Sequence, residues 1–253
     1  MVSDLIVSLG PNCRNTWNLR NRFGFSRSYP FDWWITPAAS MLKMLDPEFK
    51  FHVEMDDLIV TQPPGNEQNS VYNRKLCMLH HHDFYREDGQ VREVTQEQVD
   101  NINKKYQFLF ERFHTDIGKS ENPTFVMNGT LNQPHVIPPE DDKIVPAATP
   151  NPKYILETLN KYFGDKCNLI VVDVYDGQHL RNGKCNVLRF PDNGHRYGLS
   201  ANETYAEPVH VFEQAYDFVQ LELSPSSVQL ADKTSSDITI SNNQPKVVGI
   251  AKA

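Results

Sequence analysis

The sequence predicts an α/β fold, a mostly parallel sheet with flanking helices in a Rossmann-like three-layer arrangement. Two observations carry that expectation. Short β-branched runs recur at 5–9, 124–127, 169–174 and 187–190, each predominantly apolar, as strands covered on both faces are. Amphipathic segments long enough for crossover helices separate the first three runs.

Taken in order, Leu5 to Leu9 reads as a buried strand, broken at Gly10-Pro11-Asn12. Asn15 to Phe23 follows as a short helix, with Gly24 placed to end it. Ala38 to Leu45 is a second short helix, stopped before Pro47, and Leu58 to Thr61 is a possible strand. Val71 to His82 reads as one strand with Tyr72, Arg74, Leu76, Met78, His80 and His82 on a common face. Asp88-Gly89 marks a turn. Thr95 to Ile117 is the clearest helix: Thr95 and Gln98 make a capping-box pair, and Val99, Ile102, Tyr106, Leu109, Phe110, Phe113 and Ile117 form one stripe. After the strand at 124–127 a proline-rich loop runs from Pro134 to Pro150. Pro152 then opens a helix that Gly164 closes. Pro208 to Gln220 is the last helix. Residues 1–223 read as a single α/β domain, and 224–253 as a Ser/Asn-rich C-terminal extension.

Composition narrows the function. A net charge of -7 and a pI near 5.7 argue against a nucleic-acid partner. No apolar run approaches the roughly 20 residues of a membrane span. The opening residues do not read as a signal peptide, and four widely spaced cysteines (Cys13, Cys77, Cys167, Cys185) fit reduced thiols, so a cytoplasmic location is expected.

Against this acidic background, Leu5 to Phe31 contains four arginines (Arg14, Arg20, Arg22, Arg27) and no Asp, Glu or Lys. A strand feeding a helix through a tight polar turn is where α/β proteins hold anions and reactive groups, because the first helical N–H groups have no partner within the helix. Cys13 falls at or near that first turn, which would favour its thiolate. An inert cysteine packed between helix and sheet is the plainer alternative. His80-His81-His82-Asp83 is the second candidate: His82 or Asp83 could act as a base. Asp32, Trp33 and Trp34 could form a sugar platform, rings against the apolar sugar face and carboxylate on hydroxyls, or simply cap the core. Asn128-Gly129-Thr130 and Asp173 to His179 follow predicted parallel strands at the ends where open α/β sheets bind ligands. His195 is a weaker candidate of the same kind. Asp173 and Asp176 could hold a divalent cation; no other cofactor is implied.

The motifs S-L-G-P-N-C (8–13), P-F-D-W (30–33), H-D-F (82–84), K-Y-Q-F-L-F-E-R-F (105–113) and F-V-M-N (125–128) resemble an uncharacterised bacterial and large-virus family described as papain-like cysteine peptidases. The likeness covers roughly residues 4 to 190. It implies Cys13 as nucleophile, His82 as its base, and Asp83 or Asn128 as the orienting partner. The family also looks like one associated with surface-polysaccharide assembly.

The leading expectation is therefore a glycosyltransferase-like enzyme of glycan assembly. Gly10, Asn12, Arg14 and Arg20 would hold the diphosphate of a nucleotide-sugar, Asp32 and Trp33 the sugar, and Asp83 or His82 would deprotonate the hydroxyl of a glycan acceptor, with Asn128, Asp176 and His195 as further substrate contacts. No G-x-G-x-x-G or phosphate-binding loop supports it. The alternatives are a cysteine hydrolase or acyl transferase built on Cys13, and a non-catalytic glycan-binding module.

Overall fold

A computed structural model describes residues 1–62, 67–129, 151–174, 176–191 and 209–231. Among these lie eleven strands and six α-helices. Five strands form the central sheet, in the order β2 (Leu5–Ser8), β7 (Pro123–Asn128), β8 (Asn168–Asp173), β10 (Cys185–Arg189) and β9 (Leu180–Asn182). The first four run parallel. The last is an antiparallel edge, joined to β10 by a turn in which Gly183 adopts φ +56.

The apolar character of these strands has the expected cause. Leu5, Val7, Phe125, Met127, Leu169, Val171 and Val187 join one buried cluster with α3 (Gln96–Lys119) and α4 (Pro152–Phe163). Their neighbours Ile6, Val126, Ile170, Val172 and Leu188 join another with Leu19 of α1 (Cys13–Phe23) and Phe212 and Tyr216 of α5 (Val209–Phe218). Alternate side chains point to opposite faces, and both faces are covered.

The sheet structure is less uniformly parallel than the sequence suggests. A separate antiparallel sheet has the order β3 (Trp34–Ile35), β6 (Met78–His80), β5 (Ser70–Asn73), β4 (Leu58–Thr61). The expected single strand from 71 to 82 is thus a hairpin: residues 74–77 turn the chain, with Cys77 at φ +51, and Tyr72 pairs with Leu79. The apparent common face from Tyr72 to His82 does not survive that turn. Between β3 and β4 lies α2 (Ala38–Met44). A third pair, β1 (Val2–Ser3) with β11 (Glu222–Leu223), is parallel.

α3 forms as the sequence dictates. The Gln98 N–H donates to Thr95 Oγ1 at 3.3 Å, and the Thr95 N–H donates to Gln98 Oε1 at 2.9 Å. Its apolar stripe is buried from Val99 to Ile117. Residues 224–231, read by composition as the start of an extension, pack on the body. α6 (Val228–Ala231) seats Gln229 with no exposed surface beside β2, where its side-chain amide accepts from Ile6 N–H and donates to Ile6 C=O, both at 2.7 Å. A side chain thereby completes the hydrogen bonds of an edge strand.

Candidate functional site

The carboxyl ends of the parallel strands gather the first group of candidates. The Leu9 N–H donates to Val126 O, and the Asn128 N–H donates to Gly10 O at 3.1 Å, so the 9–12 turn is tied to β7. Gly10 adopts φ +78, a conformation that favours glycine, and the Gly10–Pro11 peptide is cis. Asn12 caps α1, its side chain accepting from the Arg14 N–H at 3.2 Å, and the helix begins at Cys13, two residues earlier than the sequence suggests. Cys13 is 6% exposed. None of the four cysteines forms a disulfide.

Cys13, Thr16 and Arg20 lie at i, i+3 and i+7, one stripe of α1. That stripe faces the segment before β3. The Thr16 hydroxyl donates to Asp32 Oδ1 at 3.1 Å, and Arg20 donates to Asp32 Oδ2 at 3.0 Å and to Ser28 at 2.7 Å. The Arg20 guanidinium also lies 5.1 Å over the Trp33 ring. Arg20 and Asp32, both expected to touch substrate, therefore satisfy one another. Burial raises the Asp32 pKa, and Arg20 with the Tyr29 N–H and Thr16 only partly offsets it. Arg22 bridges to Glu213 and Asp217 on α5, and Arg27 holds Asp116 of α3. Among the described residues Arg14, half-buried, has no carboxylate partner. The tandem tryptophans face opposite ways. Trp34 is wholly enclosed against Tyr106, ring centres 4.1 Å apart, which leaves Trp33 alone of the pair with accessible surface.

The histidine triplet is divided in the same manner. His80, on β6, is fully buried, with Nδ1 2.8 Å from Asp83 Oδ2 and Nε2 3.3 Å from the Asn73 amide. The chain leaves the strand after His80, so His82 does not share its face. His81 Nδ1 meets Ser70 Oγ at 2.7 Å. His82 has exposed surface and packs its edge on Trp33, ring centres 5.6 Å apart. Protein crowded around the ring lowers its pKa; Asp83 opposes this, and the Arg86 and Lys105 charges add to it. An imidazole at or below its ordinary pKa of about 6.5 is mostly neutral near pH 7.

Asp83 has no exposed side-chain surface. Both oxygens are occupied: Lys105 donates to Oδ1 at 2.7 Å, Trp34 Nε1 donates to Oδ2 at 3.0 Å, and the Tyr106 hydroxyl lies 2.8 Å from each. Burial alone would raise its pKa. Lys105 and His80 reverse that and hold it far below the usual carboxylate range. Such a carboxylate is a structural hub: enclosed, with both oxygens held by protein donors, it presents no lone pair to a substrate proton.

Asn128 is buried at the end of β7, and Gly129 follows. A Cβ on Gly129 would overlap Asp173 Oδ1 and come within 2.6 Å of Val171 Cγ1, so this glycine lets β7 approach β8. Asp173 pairs with Arg189 at 3.2 Å, while Asp176 is exposed. Among the described residues no three His, Cys, Asp or Glu side chains converge as a metal cluster. Thr130, His195 and the 134–150 loop lie outside the described residues.

Sequence reasoning missed Lys105 and Tyr106. The one visible signal was a tyrosine in a buried stripe, whose hydroxyl needs a partner. It missed Thr36 too, whose N–H donates to Pro11 O at 2.8 Å and so joins the end of β3 to the cysteine turn. Compared with protein-family models, curated proteins and solved structures, the chain returns no match.

Proposed function

We propose that the chain is a thiol-dependent hydrolase or acyl transferase, with Cys13 as nucleophile and His82 as its base. The observation that carries this reading is the α1 stripe of Cys13, Thr16 and Arg20, which faces the segment whose Trp33 supports His82. The helix N-terminus favours thiolate at Cys13, and a neutral imidazole is the form able to take the thiol proton. In the reaction, sulfur attacks an acyl carbon and His82 takes the thiol proton, then delivers it to the leaving group. Water or an acceptor hydroxyl next attacks the thioester, loses its proton to His82, and the thiolate departs. Asn128, buried and tied through its N–H to Gly10 O of the cysteine turn, is the orienting partner this reading assigns. The resemblance in the S-L-G-P-N-C and P-F-D-W motifs agrees with these assignments.

The nucleotide-sugar reading has less support. Arg20 is neutralised, Asp83 is enclosed by its own donors, and Trp33 stands without its neighbour as a platform.

Iodoacetamide labelling across pH, read by mass spectrometry, tests the proposal. Cys13 is expected to react with an apparent pKa below the unperturbed value of about 8.5, and His82→Ala to slow it. An ordinary thiol profile at Cys13, together with a rise in melting temperature on adding nucleotide sugars, would overturn the thiol mechanism in favour of glycosyl transfer.

A further inference from the structure

Arg14 stands against the electrostatics of its own helix. A cation in the first turn of α1 opposes the helix dipole, and that turn contains no acidic residue to offset it. The other three arginines of the 5–31 segment each meet a carboxylate, whereas among the described residues Arg14 meets none. Two enclosed polar atoms border the same turn without a hydrogen bond: Thr36 Oγ1, on the residue whose N–H closes on Pro11, and Asn15 Oδ1, on the residue whose amide N–H groups hold Ser8 and Val126. Both residues are at most 1% exposed. Enclosed polar atoms of this kind are rare and call for a water or a ligand group.

We propose that Arg14 and the Thr36 hydroxyl form an anion subsite beside Cys13, so that the acyl substrate carries a carboxylate or phosphate close to its reacting carbonyl. The proposal rests on the thiol mechanism above and adds the substrate class. Guanidinium and hydroxyl both donate to an anion, and the dipole of the capped helix adds its attraction. Asn15 Oδ1 can only accept, so it takes a water or a substrate N–H rather than the anion.

Two small alkylating agents separate the possibilities, used on the full chain at neutral pH. Iodoacetate carries a carboxylate and iodoacetamide does not. With the half-exposed Cys77 as internal reference, the iodoacetate-to-iodoacetamide rate ratio at Cys13 is expected to exceed that at Cys77 by about tenfold, the scale of one charge-assisted hydrogen bond. Arg14→Gln is expected to remove the preference and Arg14→Lys to restore part of it, with thermal melts verifying that both variants fold. Protection by inorganic phosphate or by acetate distinguishes the two anion sources. Equal ratios at Cys13 and Cys77, with no protection by either anion, would overturn the subsite while leaving the thiol mechanism intact. If iodoacetamide labels Cys77 but not Cys13, the thiol mechanism fails instead. The subsite is then judged by the melting temperature in phosphate, expected to rise in the native chain and not in Arg14→Gln, and absent any rise it too is rejected.

Discussion

Asp83 accepts from Lys105, Tyr106, Trp34 and His80 with none of its own side-chain surface in water. A charge in that position is stabilising only while its partners remain. Asp83→Ala is therefore expected to cost about 3 kcal/mol or more, because it strands the Lys105 ammonium together with three other donors. Its urea midpoint should fall with the slope unchanged. His114 is the opposite case. It sits among Phe113, Phe163 and Phe110, ring centres 5.3, 5.7 and 6.5 Å away, with both ring nitrogens enclosed and without a hydrogen bond. An apolar replacement loses nothing there, so His114→Leu should match or exceed the native midpoint at pH 7.

At the scale of elements, the turns that frame the site set narrow steric and capping demands. Asn12→Ala removes the cap of α1 and is expected to cost about 1 kcal/mol in chemical denaturation. Gly129→Ala drives a Cβ into Asp173 and Val171, and Asp173 is held by Arg189 and cannot swing aside freely. Overpacking of this type costs about 1–3 kcal/mol. Gln229 serves as a one-residue strand for β2. Gln229→Leu would leave the Ile6 N–H and C=O buried without partners, at about 1–3 kcal/mol for each group, so truncation before α6 should destabilise the whole sheet edge and not merely shorten a tail.

For the whole molecule, these groups set the response to acid. Burial lowers the pKa of His114, and Lys50 adds to that while Asp46 opposes it; burial also lowers His81, to about 3, with His82 and Arg86 contributing. The unfolded chain binds these protons at an ordinary imidazole pKa near 6.5, so stability is full above that value and falls as pH drops toward 3. Asp83, depressed in the folded state, adds a further loss below about pH 4. Denaturation midpoints should hold from pH 8 to about pH 6.5 and decline from there toward pH 3, with the raised Asp32 pKa offsetting part of the loss, and His114→Leu should flatten the upper part of the decline. A His114→Leu midpoint that fell below pH 6.5 as steeply as the native chain's would contradict the buried, neutral state of that ring.

Local pattern alone was enough to reveal the parallel strands, α3 with its capping box, α4 between Pro152 and Gly164, and the cysteine at a helix start, because apolar periodicity and capping chemistry act within a few residues. Partnership was invisible at that range. Arg20 looked like an anion ligand until Asp32 folded onto it, Asp83 looked like a base until Lys105 and Tyr106 arrived from α3, and the run from Tyr72 to His82 looked like one strand until a positive φ at Cys77 folded it into a hairpin. Whether a charged side chain is available to a substrate depends on which distant residue neutralises it, and only the packing of α1, α3 and the small antiparallel sheet on the segment before β3 decides that.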